Sequence, residues 1–84
     1  LLVEILSKTT AHYDRGDKFE HYKRLPSLKQ YLLVSHVDEA VELWTLAGGQ
    51  WSLQVIKAGD IAQLDSINAT LDVAALYALA RQPA

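Results

Sequence analysis

The stretch LLVEILSKTTAHYDRGDK, residues 1–18, decides the fold because it sets one acidic residue inside an otherwise apolar run. Leu1 to Ser7 is typical of a β-strand with apolar residues on both faces, as in a strand covered on both sides in a mixed or parallel sheet. An ionised carboxylate buried there without a partner is costly, so Glu4 is expected either to reach solvent or to meet a cation. The sequence offers Lys18 as that cation.

Length and composition bound the fold. The chain has 84 residues, of which 50% are hydrophobic and 21% are charged, as in an ordinary globular domain. A domain of this size buries only about 60% of its unfolded surface, so its core is thin. Because so short a chain has little to cover both faces of its first strand, and contains no methionine, we expect residues 1–84 to be one partial domain whose amino-terminal part is missing. Upstream sequence or a second copy would supply the cover, and self-association is therefore expected.

Several classes of protein are disfavoured by the composition. No apolar run approaches the roughly 20 residues that cross a bilayer, and the first residues lack the basic region of a signal peptide, so we expect no membrane span and a cytoplasmic location. Cysteine is absent, which removes disulfides and thiolate metal sites. The three histidines, His12, His21 and His36, are dispersed without ligand spacing, so zinc is not expected.

The charges are distributed unevenly along the chain. Between Lys8 and Lys29 there are six basic residues against three acidic ones, whereas from Gln30 onward two basic residues accompany six acidic ones. Such a basic segment is either a solvated helix face or a phosphate-binding surface. With a net charge of −2, charge alone favours the solvated face.

A helix is predicted from about Tyr13 to Leu25, ended by Pro26. Its apolar side comprises Phe19, Tyr22 and Leu25. At about 100° per residue Lys18 lies beside this apolar side, so its side chain is expected to point inward. Asp14 precedes it by one turn, at the spacing where an acid and a base pair along a helix.

The remaining elements follow from the periodicity of apolar residues. They are a turn over Pro26–Gln30, an interior strand over Tyr31–Val34, an alternating strand from Ala40, a Gly48-Gly49 turn with a returning strand, an extended piece near Ile67–Thr70, and a helix capped by Asp72 with Val73, Leu76, Tyr77 and Leu79 on its apolar side. Trp44 and Trp51 are expected to pack across the hairpin rather than to form a stacking platform. The sequence thus predicts an α/β fold, a mixed sheet with flanking helices.

Glu4, Asp14 and Lys18 are the set that could carry chemistry. A carboxylate can hold Mg²⁺ through oxygen, and a nearby lysine can stabilise the charge of an attacked phosphate or orient a water. On the residues alone, an interior ion pair that ties the helix to the strand is the favoured interpretation.

The motifs resemble those of a known family. LLVEILS followed by DRGDKFEHYKRLPSLKQYLLVS is similar to the Uma family of restriction endonucleases, a branch of the PD-(D/E)XK nuclease superfamily. There, an apolar strand with a glutamate and a Leu-Ser end precedes an aspartate, a lysine four residues on, a tyrosine, and a Tyr-Leu-Leu-Val strand. The matching positions are Glu4, Leu6, Ser7, Asp14, Lys18, Tyr22 and Tyr31–Val34.

The resemblance implies the carboxyl-terminal half of a restriction-endonuclease-like fold, a Mg²⁺ cofactor and a DNA substrate. Glu4 would be a catalytic metal ligand, and Lys18 would be the catalytic lysine, moved to the helix because Leu6 occupies its usual place. Asp14 and Tyr22 would be supporting residues. The superfamily's upstream acidic residue does not lie in this sequence, and Ser35 stands where many relatives carry aspartate.

Two functions therefore remain open. One is metal-dependent hydrolysis of DNA phosphodiesters by a longer form of the chain, the 84 residues being inactive alone. The other is a non-catalytic truncated remnant that serves as an assembly or DNA-contact module through the basic segment from Lys8 to Lys29.

Overall fold

The computed structural model describes residues 1–6, 16–35 and 38–80. Within these ranges the elements are β1 (Leu2–Leu6), α1 (Asp17–Tyr22), β2 (Gln30–Ser35), β3 (Ala40–Ala47), β4 (Gln50–Lys57), β5 (Ile61–Leu64), a 3₁₀ turn (Asp65–Ile67), β6 (Ala69–Asp72) and α2 (Val73–Ala80). Strands β1 to β4 form one sheet in that order, and β5 pairs with β6 in a second. Because β1 is parallel to β2 while β2–β3 and β3–β4 are antiparallel, the predicted mixed α/β fold is confirmed.

The two faces of the four-stranded sheet bury different cores, as the alternation of side chains along a strand requires. The α1 face has a core of Leu6, Phe19, Tyr31 and Leu33. The α2 face has a core of Leu32, Val41, Leu43, Ile56, Ala62, Leu64 and Val73. Strand β2 contributes to both cores, and the prediction that it is interior is confirmed.

Strand β1 is covered on one face only. Leu6 on the α1 face is 2% exposed, whereas Val3 and Ile5 on the α2 face are 50% and 69% exposed. Among the described residues, the elements on the α2 face pack over β2, β3 and β4 and leave Val3 and Ile5 uncovered, as expected for a chain too short to cover both faces of this strand. In the described sheet β1 is also an edge strand, so its open face and open edge lie together.

Helix α1 is shorter at its carboxyl end than predicted. It ends at Tyr22 rather than Leu25, and the N–H groups of Arg24 and Leu25 bond to carbonyls three residues back, a tightened last turn. Pro26 disfavours the helical conformation at the residue before it, and Leu25 is consequently 50% exposed rather than packed. Residues 13–15 of the predicted helix lie outside the described residues.

The β3–β4 connection is the predicted hairpin. Gly48 and Gly49 have φ values of 58° and 79°, the left-handed pair that a two-residue hairpin turn of type I′ requires. Ala47 pairs directly with Gln50. The turn therefore fixes the register that places alternating residues of both strands on the same face.

Gln30 begins β2 instead of ending a turn. It is 1% exposed, and its amide donates to Thr45 Oγ1 and to the carbonyl of Gln63, both at 3.1 Å. Its Oε1 accepts hydrogen bonds from the N–H and the hydroxyl of Ser66, at 2.9 and 2.7 Å. This buried amide joins the larger sheet to the smaller one.

The last elements follow the prediction in part. Asp72 caps α2, since its Oδ1 accepts a hydrogen bond from the N–H of Ala75 at 3.2 Å, but Leu79 is 67% exposed rather than packed. The extended piece predicted near Ile67–Thr70 overlaps β6 only at Ala69 and Thr70, since Ile67 ends the 3₁₀ turn. The partner strand β5 was not predicted. None of the helices in the described ranges has the length and apolar character needed to cross a membrane.

Candidate active site

Glu4 lies at the middle of β1, on the α1 face. The parallel register sets it beside Leu33, which is fully buried. Its side chain is 23% exposed, so the carboxylate lies next to buried apolar residues but remains in partial contact with solvent. An acidic residue in this position requires a cation or a hydrogen-bond donor nearby.

Lys18 supplies the cation. Its Nζ lies 2.9 Å from Oε1 of Glu4, and its side chain is 28% exposed. The prediction that Lys18 points inward and meets Glu4 is therefore confirmed as geometry. Tyr22 lies one turn further along α1 and donates its hydroxyl to the same Oε1 at 3.3 Å.

Aromatic packing holds α1 in the position that makes these contacts. Phe19 is 2% exposed, and its ring centroid lies 4.9 Å from that of Tyr31, 5.0 Å from Trp44 and 5.3 Å from Trp51. Burying such a ring contributes about 1.5–3 kcal/mol, and each aromatic pair about 0.5–1.5 kcal/mol more. A helix of six residues has little stability of its own, so this cluster is what positions Lys18 and Tyr22.

The two tryptophans pack as structural residues. They lie on the α1 face and enclose Phe19, although the register pairs Trp44 with Leu53 and Trp51 with Leu46 rather than with each other. The two tryptophans are thus diagonal neighbours on the hairpin, and each contacts Phe19 of α1. Strand alternation does not predict this contact with a helix residue.

Not every predicted site residue is brought together. Asp14 lies outside the described residues. Ser35, where the family resemblance led us to expect aspartate in many relatives, is at the end of β2, two residues beyond Leu33 on the same face. Its Oγ accepts a hydrogen bond from the N–H of Asp38 at 3.2 Å. The main-chain carbonyls of Ser35 and Ala40 face the hydroxyl of Tyr77 at 2.5 and 2.8 Å, which fixes both ends of the β2–β3 connection.

A second carboxylate shares this face but is not among the residues that the sequence singled out for the site. Glu42 on β3 also pairs with Leu33, so Glu4 and Glu42 flank the same buried leucine. Strand alternation predicts that Glu42 shares a face with Trp44, but it does not relate Glu42 to Glu4. It borders an open depression of about 500 Å³ lined by Ser35, Asp38, Glu39, Ala40, Glu42, Val55 and Lys57. Three of these residues are acidic and one, Lys57, is basic, so without a bound cation the depression would repel a phosphate.

The chemistry available at Glu4 is that of an oxygen ligand beside an ammonium group. Within residues 1–6, 16–35 and 38–80, no cluster of three or more histidine or acidic residues could hold a metal ion. Mg²⁺, however, usually binds through one or two carboxylates together with waters and substrate phosphates. Glu4 fits the part of one such ligand, and a complete site needs further oxygen ligands.

The chain belongs to the Uma2 family, described as "Putative restriction endonuclease", which matches residues 1–75. The resemblance inferred from the β1 and α1 motifs is thereby confirmed. The family defines the chain as restriction-endonuclease-like, and the mixed sheet is compatible with part of such a fold.

Two curated relatives come from Synechocystis sp. (strain ATCC 27184 / PCC 6803 / Kazusa). "Uncharacterized protein slr1290" is 38% identical over 78 residues, covering 92% of this chain and 41% of the relative. "Uncharacterized protein sll1609" is 33% identical over 66 residues, covering 77% of this chain and 37% of the relative. The chain thus spans about two fifths of the length of the curated relatives it matches.

Proposed function

We propose that this chain forms the carboxyl-terminal part of a metal-dependent DNA phosphodiesterase of the restriction type, in which Glu4 is a metal ligand and Lys18 is the catalytic cation. The observation that carries the proposal is the 2.9 Å contact between Lys18 Nζ and Glu4 Oε1 at a partly solvated position. Family membership supports it, because restriction-endonuclease-like proteins act on DNA and generally use divalent metal ions.

Partial exposure distinguishes this pair from a fully buried ion pair. Both side chains keep about a quarter of their surface accessible, 28% for Lys18 and 23% for Glu4. A buried ion pair must repay a large desolvation cost, whereas a pair at the mouth of a cleft remains accessible to solvent and to substrate. Accessibility is what a group that touches a phosphodiester requires.

The residues have separate tasks in the proposed reaction. Glu4 would hold one coordination position of a divalent ion, and that ion would supply Lewis-acid chemistry at the phosphodiester. Lys18 contributes positive charge where negative charge develops on the attacked phosphate. Tyr22 keeps the carboxylate of Glu4 in place through its hydroxyl. Mg²⁺ is the proposed ion, since it prefers hard oxygen ligands.

The test of this function is DNA cleavage by the full-length protein in Mg²⁺. Glu4→Gln and Lys18→Met should each reduce the cleavage rate by at least about 100-fold, the effect expected when an electrostatic group is removed from the reacting centre. The 84-residue chain alone should be inactive, since Glu4 is the one acidic ligand proposed within it. Cleavage at the parental rate by either full-length variant would refute the proposal.

A second candidate is a non-catalytic module that contacts DNA or assists assembly. Its support is the basic character of residues 16–35, where four lysines and arginines accompany two acidic residues, with Arg24 and Lys29 both exposed. The full-length protein would then bind DNA with a strong dependence on salt concentration but would not cleave it in any divalent ion.

We also propose that the chain associates with itself through β1. The exposed Val3 and Ile5 make an apolar strip on an edge strand, and in the described part of β1 the strip lacks the lysines, prolines or bulges that usually protect such edges. In a longer chain, the upstream part would compete with a second copy for this apolar strip and would bury it within one molecule.

A DNA hydrolase of this kind would act in the cytoplasm.

A further inference from the structure

Two donors from α1 converge on one oxygen of Glu4. Lys18 Nζ and the Tyr22 hydroxyl both contact Oε1, at 2.9 and 3.3 Å. Among the described residues, both of these contacts are made to the same carboxylate oxygen. The Glu4 carboxylate is thus held by one cation and one neutral donor.

A cation that binds the Glu4 carboxylate must share it with the ammonium group of Lys18. Like charges a few ångströms apart repel, so a divalent ion and the Lys18 ammonium cannot both lie at this carboxylate without loss of affinity. The Lys18 side chain is partly exposed, and the rotamers of a four-carbon lysine stem would allow the ammonium group to move away from the carboxylate. The hydroxyl of Tyr22 carries no charge and has no such reason to leave.

We propose that Lys18 is the resident counter-ion of the metal position at Glu4: it neutralises the carboxylate when no divalent ion is present and moves off it when one binds. The inference rests on the proposed metal site. Tyr22 is a positioning residue that holds the carboxylate through the exchange. The released ammonium remains within a side-chain length of Glu4 and therefore beside a phosphodiester bound there.

The exchange predicts an affinity change opposite to the activity change. In the full-length protein without DNA, Lys18→Met should bind Mg²⁺ or Mn²⁺ more tightly than the parent by roughly three- to tenfold, because the competing charge is gone. The same variant should lose cleavage. Lys18→Arg keeps a cation at the carboxylate and should bind the metal within about twofold of the parent.

Lys23 offers a matched control. Its side chain is 29% exposed, close to the 28% of Lys18, and its Nζ pairs with Glu20 at 2.8 Å and lies 4.5 Å from the centre of the Phe19 ring. Lys23→Met therefore removes a lysine of similar exposure that does not pair with Glu4. The metal affinity of Lys23→Met should equal that of the parent. Isothermal titration calorimetry measures the metal affinity of the parent and of the three variants.

A second measurement on the parent protein covers the case in which Lys18→Met does not fold. The ¹³Cε and ¹⁵Nζ resonances of Lys18 should shift during a Mg²⁺ titration, and those of Lys23 should not. Equal or weaker metal binding by folded Lys18→Met, or Lys18 resonances that stay fixed while the metal binds, would overturn the exchange and leave the proposed nuclease function standing. Absence of metal binding by the parent would refute both.

Discussion

Lys18 on α1 and Glu4 on β1 form an ion pair, with 2.9 Å between Nζ and Oε1 and about a quarter of each side chain exposed. The pair joins the first strand of the sheet to the helix that leads into β2. Because the pair is partly solvated, it should contribute little to the stability of the fold. The loss of unfolding free energy when the pair is removed therefore tests whether its role is mainly structural.

Lys18→Met should therefore lower the free energy of unfolding by no more than about 1 kcal/mol, the usual value of an exposed pair. The methionine keeps the packing of the lysine stem. For a domain of this size, thermal melting should fall by no more than about 4–8 °C. A loss of roughly 3–5 kcal/mol would be typical of a buried pair and would show that Lys18 is architectural.

Gln30 is predicted to matter more for stability than either member of the ion pair. Gln30→Leu should cost about 2–4 kcal/mol in urea unfolding, because the N–H of Ser66 and the carbonyl of Gln63 would lose their buried partner. Gln54→Leu is a matched control at an exposed position of β4, where an effect within about 0.5 kcal/mol is expected. Equal effects at the two glutamines would contradict the structural role of Gln30.

Tyr77 is predicted to make stability depend on alkaline pH. Burial, reinforced by the charge of Asp38 and opposed by the backbone hydrogen bonds, raises the pKa of Tyr77 above its ordinary value of 10.0. Because the folded state holds this proton more tightly than the unfolded state, the contribution is complete below pH 10.0 and is lost as pH rises through the folded pKa.

The measurement is urea unfolding at a series of alkaline pH values. Tyr77→Phe should unfold more easily at neutral pH, by about 1 kcal/mol, and should lose less stability as pH rises. Tyr22→Phe serves as the comparison and should keep the alkaline dependence of the parent. If Tyr77→Phe and the parent lose stability in parallel above pH 10.0, the protonation of Tyr77 is not linked to folding.

Self-association through β1 is predicted to depend on Val3 and Ile5. Replacing both by threonine keeps the preference for a strand but removes apolar surface, and the 84-residue chain should then sediment as a monomer. Leu53→Thr, at a similarly exposed position of the other edge strand β4, should leave association unchanged. A parent chain that is already monomeric at tens of micromolar would contradict the proposal.

Part of this architecture could be predicted because its causes are local. A glutamate in an apolar strand requires a partner, and helical spacing pointed Lys18 toward it. Paired glycines between alternating strands predicted the hairpin at Gly48 and Gly49. These features depend on a few neighbouring residues and on the period of the element that contains them.

The remainder depends on contacts between distant residues. Gln30 looked like part of a turn because its partners Gln63 and Ser66 lie more than thirty positions away. Leu25 was predicted to pack because the apolar periodicity of α1 continues beyond Tyr22, where the helix ends. Whether such a residue is buried depends on where the sheet lies, which the periodicity does not show. The common face of Glu4 and Glu42 likewise required the register of three strands.

The central claim is that Glu4 and Lys18 perform metal-dependent hydrolysis of DNA. Its most direct test is plasmid cleavage by the full-length protein in Mg²⁺, compared with Glu4→Gln, Lys18→Met and the control Lys23→Met, after each is shown to be folded. We expect cleavage by the parent and by Lys23→Met, loss of cleavage in the other two, and no cleavage by any of them in excess chelator. A folded Lys18→Met or Glu4→Gln protein that cleaves DNA at the parental rate would contradict a catalytic role for the pair.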